Sequence, residues 1–172
     1  TSTTGSKGYS ITGGSGNDTI TATAYNDTIN AAAGNDSIDS LAGNDSTNAG
    51  DGHDTINAGA GDDAIDGSTG NDSITGDTGS DSYTVSAGVD SITELSGSEI
   101  LKVSSGATAN VNISADWTPT AASSQDGTAN LTLAAGGINL NLTSTTGSKG
   151  YSITGGSGDD SITGSSRADT IN

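Results

Sequence analysis

Residues 31–66 read AAAGNDSID, SLAGNDSTN, AGDGHDTIN and AGAGDDAID, four in-phase copies of a nine-residue block. The period extends both ways, unbroken from Gly13 to Thr93, to give nine blocks. The sixth residue is always Asp: Asp18, Asp27, Asp36, Asp45, Asp54, Asp63, Asp72, Asp81 and Asp90. The eighth is large and apolar (Ile20, Ile29, Ile38, Ile56, Ile65, Ile74, Tyr83 and Ile92) except at Thr47. A short fixed period of this kind marks one structural unit stacked many times.

Each block divides into a turn and a strand. Gly, Ala and Ser at the first four positions suit tight turns. The DTIT or DSID end alternates, turning the eighth residue inward and its neighbours outward. Two blocks then make one coil, Gly13 to Asn30 being the first: strand, turn, strand, turn. Coils stacked at roughly 4.8 Å align the strands in parallel. The expected fold is all-β, a two-sheet parallel β-roll with an Ile ladder as its thin interior.

The chain has 172 residues and a formal charge of −17, with Lys7, Lys102, Lys149 and Arg167 as its only cations. Apolar residues make up 29%, well under the roughly 45–50% of ordinary domains. Such a balance usually means disorder, but here the acids are periodic, which makes them candidate ligands. No basic patch exists to meet nucleic acid or an anionic membrane surface. No apolar run is long enough to span a bilayer, and no secretory leader is visible. The absence of Cys does not fix a compartment.

A longer repeat is superimposed. Residues 1–30 and 143–172 agree at 23 of 30 positions at an offset of 142. The chain thus reads as one unit, Thr1 to Leu142, plus the start of the next. Its expected parts are a degraded leading coil (1–12), the roll (13–102), a β capping segment (103–142) and the start of a second roll (143–172). In 94–102, Glu99 takes the Asp place and Leu101 the apolar one. Residues 103–142 lose the period, but VNI (111–113), NLTL (130–133) and INLNL (138–142) alternate as strands do. Trp117 is the expected anchor of that segment.

Asp residues 18 apart should lie above one another. One edge would carry Asp18, Asp36, Asp54, Asp72 and Asp90; the other Asp27, Asp45, Asp63 and Asp81, continued by Glu99. Bare carboxylates about 5 Å apart repel by roughly 3 kcal/mol per pair at an effective dielectric of about 20. A divalent cation between turns reverses that sign. Carboxylates plus main-chain carbonyls form an all-oxygen, flexible cage, which suits Ca²⁺ better than Mg²⁺. Zn²⁺ or copper would want His or Cys, and the one His is His53. The intervals between stacked Asp give about seven Ca²⁺ sites, or about eight with Glu99, which would bring the charge close to neutral. Asp160 and Asp169 begin a new array and are half-sites here.

The blocks resemble the RTX (repeats-in-toxin, hemolysin-type) nonapeptide, G-G-x-G-x-D-x-U-x with U a large hydrophobe. The resemblance is strong over 13–93 and 155–172, and weaker over 94–102. It implies a Ca²⁺-bound β-roll secreted through a type I system by a Gram-negative bacterium, folding outside the cell. The metal-ligand Asp of the family maps onto the nine Asp above and onto Asp160 and Asp169. Tyr25 and Arg167 depart from the pattern, standing where the fourth-position Gly belongs. The long repeat unit is more similar to repeats of giant surface adhesins and surface-layer proteins than to toxins or lipases.

No catalytic constellation is present: there is no Cys, and His53 has no Ser or Asp partners at a useful spacing. His53, Asp116 and Asp126 read as exposed turn or loop residues. Trp117, Tyr9, Tyr83 and Tyr151 read as packing residues, and the Asn-x-Ser/Thr sequons as by-products of the repeat. The leading functional expectation is a non-enzymatic, calcium-rigidified module of a long cell-surface protein: surface layer, filament or adhesin stalk. Its expected partners are copies of itself, in tandem or head to tail, with an unidentified surface glycan or host ligand also open. The alternatives are an ice-binding or other adhesive region, or the secretion and folding domain of an RTX enzyme.

Overall fold

The computed structural model describes residues 7–172. Among them are 19 β-strands and no helix. In most of the array each block contributes one three-residue strand, such as β4 (Ser37–Asp39), β5 (Ser46–Asn48), β6 (Thr55–Asn57), β7 (Ala64–Asp66) and β8 (Ser73–Thr75). Alternate strands pair in parallel one coil apart: Ser37, Ile38 and Asp39 lie beside Thr55, Ile56 and Asn57. Through the array, odd and even strands form separate sheets. This is the expected two-sheet roll, with ~18 residues per coil.

From Ile20 to Ile92 the eighth position is buried, and the first position faces it, as with the small buried residues Ala31, Ala49 and Ala58. Where the eighth residue is Thr47, the first is Ser40, and their hydroxyls bond at 3.1 Å within the core. The irregular coil therefore keeps its polar groups paired, as burial demands. Where the eighth residue is Tyr83, the first is Gly76, and the large ring takes the room. The two positions compensate one another.

In the six blocks from Ala31 to Thr84, two turn residues adopt positive φ. The fourth is usually Gly: Gly34, Gly43, Gly52, Gly61, Gly70, Gly79 and Gly88. A Cβ on Gly52 would strike the carbonyl of Gly34 one coil earlier, and the same holds along the edge. Only glycine lets these backbones stack so closely. The second position also lies there, and four blocks place a side chain on it: Ala32, Leu41, Ser68 and Asp77, with φ of 81°, 76°, 68° and 65°.

Residues 103–142, set apart in the sequence as a capping segment, are themselves coils of the solenoid, with further coils on both sides. The strands β10 (Val89–Gly97), β12 (Thr108–Trp117), β14 (Thr128–Leu133) and β17 (Ser152–Thr154) run side by side in one sheet. The core column continues from Ile92 through Val111, Leu131 and Ile153. What changes is coil length. Thr108 pairs with Thr128, an offset of 20, and Asn130 with Ser152, an offset of 22. The added residues form a third row, in which Gly97, Trp117, Leu140 and Ile162 are successive partners. Trp117 is fully buried and donates its indole N–H to the Glu99 carbonyl at 3.1 Å. Tyr83 and Tyr151 are buried as expected, whereas Tyr9 is 42% exposed and is not a packing residue.

The third row hands the roll over. Strand β1 (Ser10–Gly14) lies in the first sheet, and its counterpart in the long repeat, β17, lies in the second. Strand β2 (Thr19–Thr21) lies in the second sheet, and its counterpart β18 (Ser161–Thr163) lies in the third row. The nonapeptide array restarts one row further round.

Candidate metal centre

Each array Asp sits at the end of the Gly-rich turn, just before its strand or, for Asp90, at the second residue of it, and uses its two oxygens differently. Oδ1 accepts the main-chain N–H of the equivalent residue in the preceding coil. Asp18 donates to Asp36 (2.7 Å), Asp36 to Asp54 (2.7 Å), Asp54 to Asp72 (2.9 Å) and Asp72 to Asp90 (3.1 Å). On the other edge Tyr9 donates to Asp27 (2.5 Å), Asp27 to Asp45 (2.6 Å), Asp45 to Asp63 (2.7 Å) and Asp63 to Asp81 (2.9 Å). The two stacks deduced from the sequence spacing are thus continuous ladders.

Oδ2 is the unusual atom. In Asp36, Asp45, Asp54, Asp63, Asp72, Asp81 and Asp90 it is buried and has no hydrogen-bond partner among the described residues. An ionised oxygen withdrawn from water without compensation is strongly unfavourable. Its effect is visible in the protonation equilibria. Burial pushes Asp45, Asp72 and Asp81 up to about 6 and Asp90 up to about 7, with the neighbouring rungs adding repulsion. Asp54 and Asp63 shift the same way, again chiefly by burial. Each of these carboxylates requires either a proton or a cation.

The donor set fits a hard cation. Among the described residues no three carboxylate or imidazole side chains converge on one point. A bound ion would therefore draw on one or two carboxylates and on main-chain carbonyls, which the fourth-position glycines bring into close stacking. That is oxygen-only ligation of the kind Ca²⁺ accepts.

The repeat model of one protein family matches residues 12–46, 48–83, 58–92 and 152–172, and its description is the RTX calcium-binding nonapeptide repeat. The chain belongs to the RTX calcium-binding nonapeptide repeat family. RTX repeats bind Ca²⁺ as a class, and the parallel roll is their fold. No curated protein and no solved structure matches the chain.

The opening rungs of the RTX arrays differ from those that follow. In Asp18 and Asp27, Oδ2 is satisfied by local donors: the Gly14 amide at 2.7 Å, and the Thr23 amide and hydroxyl at 2.8 Å. Asp160 and Asp169 repeat that pattern. Asp160 accepts from the amides of Ile138 (3.0 Å) and Gly156 (3.1 Å), and Asp169 from those of Tyr151 (2.8 Å) and Ser165 (2.7 Å). Glu99 is buried and pushed up to about 7 by burial, but it turns back to accept the Ser96 amide at 2.6 Å instead of continuing the ladder beyond Asp81.

A second ladder escaped the sequence argument. The fifth-position side chain accepts the N–H of the fifth residue in the following coil, opposite in sense to the Asp ladder. Asn17 accepts from Asn35 (2.8 Å), Asn35 from His53 (2.9 Å), and His53 Nδ1 from Asn71 (2.9 Å). Asn26, Asn44, Asp62 and Asn71 do the same for the next coil. The available signal was an acceptor at position five in seven successive blocks, ending at Ser80 and Val89. His53 is thus a rung as well as an exposed turn residue. Asp116 and Asp126 also bridge coils: Asp116 holds both the amide (2.7 Å) and the side chain (3.0 Å) of Asn139, and Asp126 the amide (2.9 Å) and hydroxyl (2.7 Å) of Ser148. Arg167 caps the Gly147 carbonyl at 2.9 Å.

Proposed function

We propose that this chain is a calcium-dependent structural module of a long secreted protein at a bacterial cell surface, serving as part of a surface layer, filament or adhesin stalk. The supporting observation is the set of seven buried, unpartnered Oδ2 atoms, one per rung in the middle of the array. In the low-calcium cytoplasm those oxygens would oppose folding. Outside, Ca²⁺ would draw successive coils together, with Asp36, Asp45, Asp54, Asp63, Asp72, Asp81 and Asp90 as principal side-chain ligands. Asp18, Asp27 and Glu99 would serve at the margins, and Asp160 and Asp169 would open the next array. Type I export from a Gram-negative cell would deliver the chain unfolded, and tandem copies of the unit would supply length.

The test is a Ca²⁺ titration followed by circular dichroism, with calorimetric stoichiometry. The expected result is a coil-to-β transition with about seven or eight Ca²⁺ per chain, because metal binding and folding are one event in such sites. A folded chain indifferent to chelator would remove the ligand role of the ladder and the functional proposal with it.

A further inference from the structure

One rung has a donor of its own. In the blocks of Asp36, Asp54, Asp63, Asp72 and Asp90 the eighth residue is Ile, which offers nothing to an unpartnered oxygen. In the block of Asp81 it is Tyr83. This ring is wholly buried, and its hydroxyl has no partner among the described residues. The hydroxyl and Asp81 Oδ2 lie against the same point of the chain, since a Cβ on Gly76 would fall on both. In the other blocks the place opposite the eighth residue holds Ala22, Ala31, Ala49, Ala58, Gly13, Gly67, Ser40 or Val85. Gly76 clears the room that Tyr83 needs. One atom is a donor and the other a charged acceptor. Both are sealed from water, and either left unpaired would cost about 1–3 kcal/mol or more.

We propose that in the metal-free protein the Tyr83 hydroxyl donates a hydrogen bond to Asp81 Oδ2, so that this rung can close without a cation. It rests on the reading of the other Oδ2 atoms as cation ligands, and it concerns one of the seven unpartnered rungs, where Tyr83 stands beside the carboxylate. The position gives the substitution its use. Asp81 is the last Asp of its edge, where Glu99 turns away to Ser96 and the longer coils begin. A phenol there joins the metal-dependent array to the segment of coils that follows it.

The test is hydrogen exchange on the full chain in chelator, comparing wild type with Tyr83→Phe and Tyr83→Ile. The wild type should retain protection at Ser82–Val85 and Ile100–Val103 without calcium. Tyr83→Phe should exchange there about tenfold faster, as loss of a bond to a charged group implies, and Tyr83→Ile faster still. Both variants should regain protection in excess Ca²⁺, which would show that they fold. Protection equal to or above wild type in Tyr83→Phe would overturn the pairing, since deleting an unpaired buried hydroxyl stabilises. Absence of wild-type protection there in chelator would overturn it as well. Failure of the calcium reading is distinguishable: Ile29–Ile65 would then stay protected in chelator, while the Tyr83→Phe comparison would still report on the pair.

Discussion

The array of residues 13–93 and the coils of residues 103–142 stack in the same two parallel sheets, yet they are held together differently. The array buries one residue at the eighth position of each block, Ile except at Thr47 and Tyr83, and leaves a carboxylate oxygen unpartnered at most rungs. The central coils bury Val103, Val111, Ile113, Trp117, Leu131, Leu133, Ile138, Leu140 and Leu142. Their inter-coil carboxylates, Asp116 and Asp126, each accept two hydrogen bonds from the next coil. Apolar burial stabilises a side chain of that size by roughly 1.5–3 kcal/mol. The comparison teaches that one parallel solenoid can combine two kinds of coil, one closed by a wider core and one that leaves an unpartnered carboxylate oxygen in each turn.

Calcium removal should separate the two regions most clearly. In chelator at neutral pH, hydrogen exchange should show the strands from Thr19 to Thr75 losing protection while Thr108–Trp117 and Thr128–Leu133 keep theirs. Uniform behaviour along the chain would erase the distinction.

Acid should then mimic the metal. Asp45, Asp72 and Asp81 lie near 6, and Asp90 and Glu99 near 7, because burial disfavours their charged forms. The unfolded chain titrates near 4. Their folded values are raised, so the folded metal-free array holds protons that the unfolded one releases. That contribution is complete below about pH 4 and is lost as pH rises through 6 to 7. Metal-free circular dichroism should therefore show β-structure forming on acidification from pH 7.5 to 4.5, and the apparent Ca²⁺ affinity should fall over the same range.

Trp117→Ala inverts the first experiment. Emptying that site should cost about 3–5 kcal/mol and destabilise the third row in chelator, with the calcium-loaded array at Ile29–Ile65 largely unaffected by exchange. A smaller contrast compares two glycines. Gly136 has φ of +119° with open space where a Cβ would stand, whereas Gly52 has φ of +147° and a carbonyl in the way. Gly136→Ala should cost about 1–2 kcal/mol for the backbone alone, and Gly52→Ala more, measured as midpoint shifts in calcium-loaded denaturation.

Much of this was legible beforehand. A strict period fixes which residues stack, so the Ile columns, the two Asp edges and the two-block coil followed from counting. The strands around Val111, Leu131 and Leu140 were legible from alternation, but their place was not. Once the offset between coils drifts from 18 to 20 and 22, no single period relates the coils; the Thr-Ala-Asn of 108–110 recurs at 128–130 but not in the coil after it, and a stacked coil looks like a cap. The Asn ladder was hidden because the fifth position tolerates Asn, Asp or His, which share only an acceptor. Positive φ at Ala32, Leu41, Ser68 and Asp77 was hidden because these are not glycine. The Ser40–Thr47 and Gly76–Tyr83 exchanges can be seen in the blocks only once the first and eighth positions are known to face each other.

The handover from one row to the next has a geometric consequence. The edge carrying Asp18 and Asp36 and the edge opened by Asp160 stand at different azimuths about the solenoid axis. Negative charge and its counter-ions are therefore turned around the circumference from one array to the next, like treads on a spiral stair, rather than accumulated along a single seam.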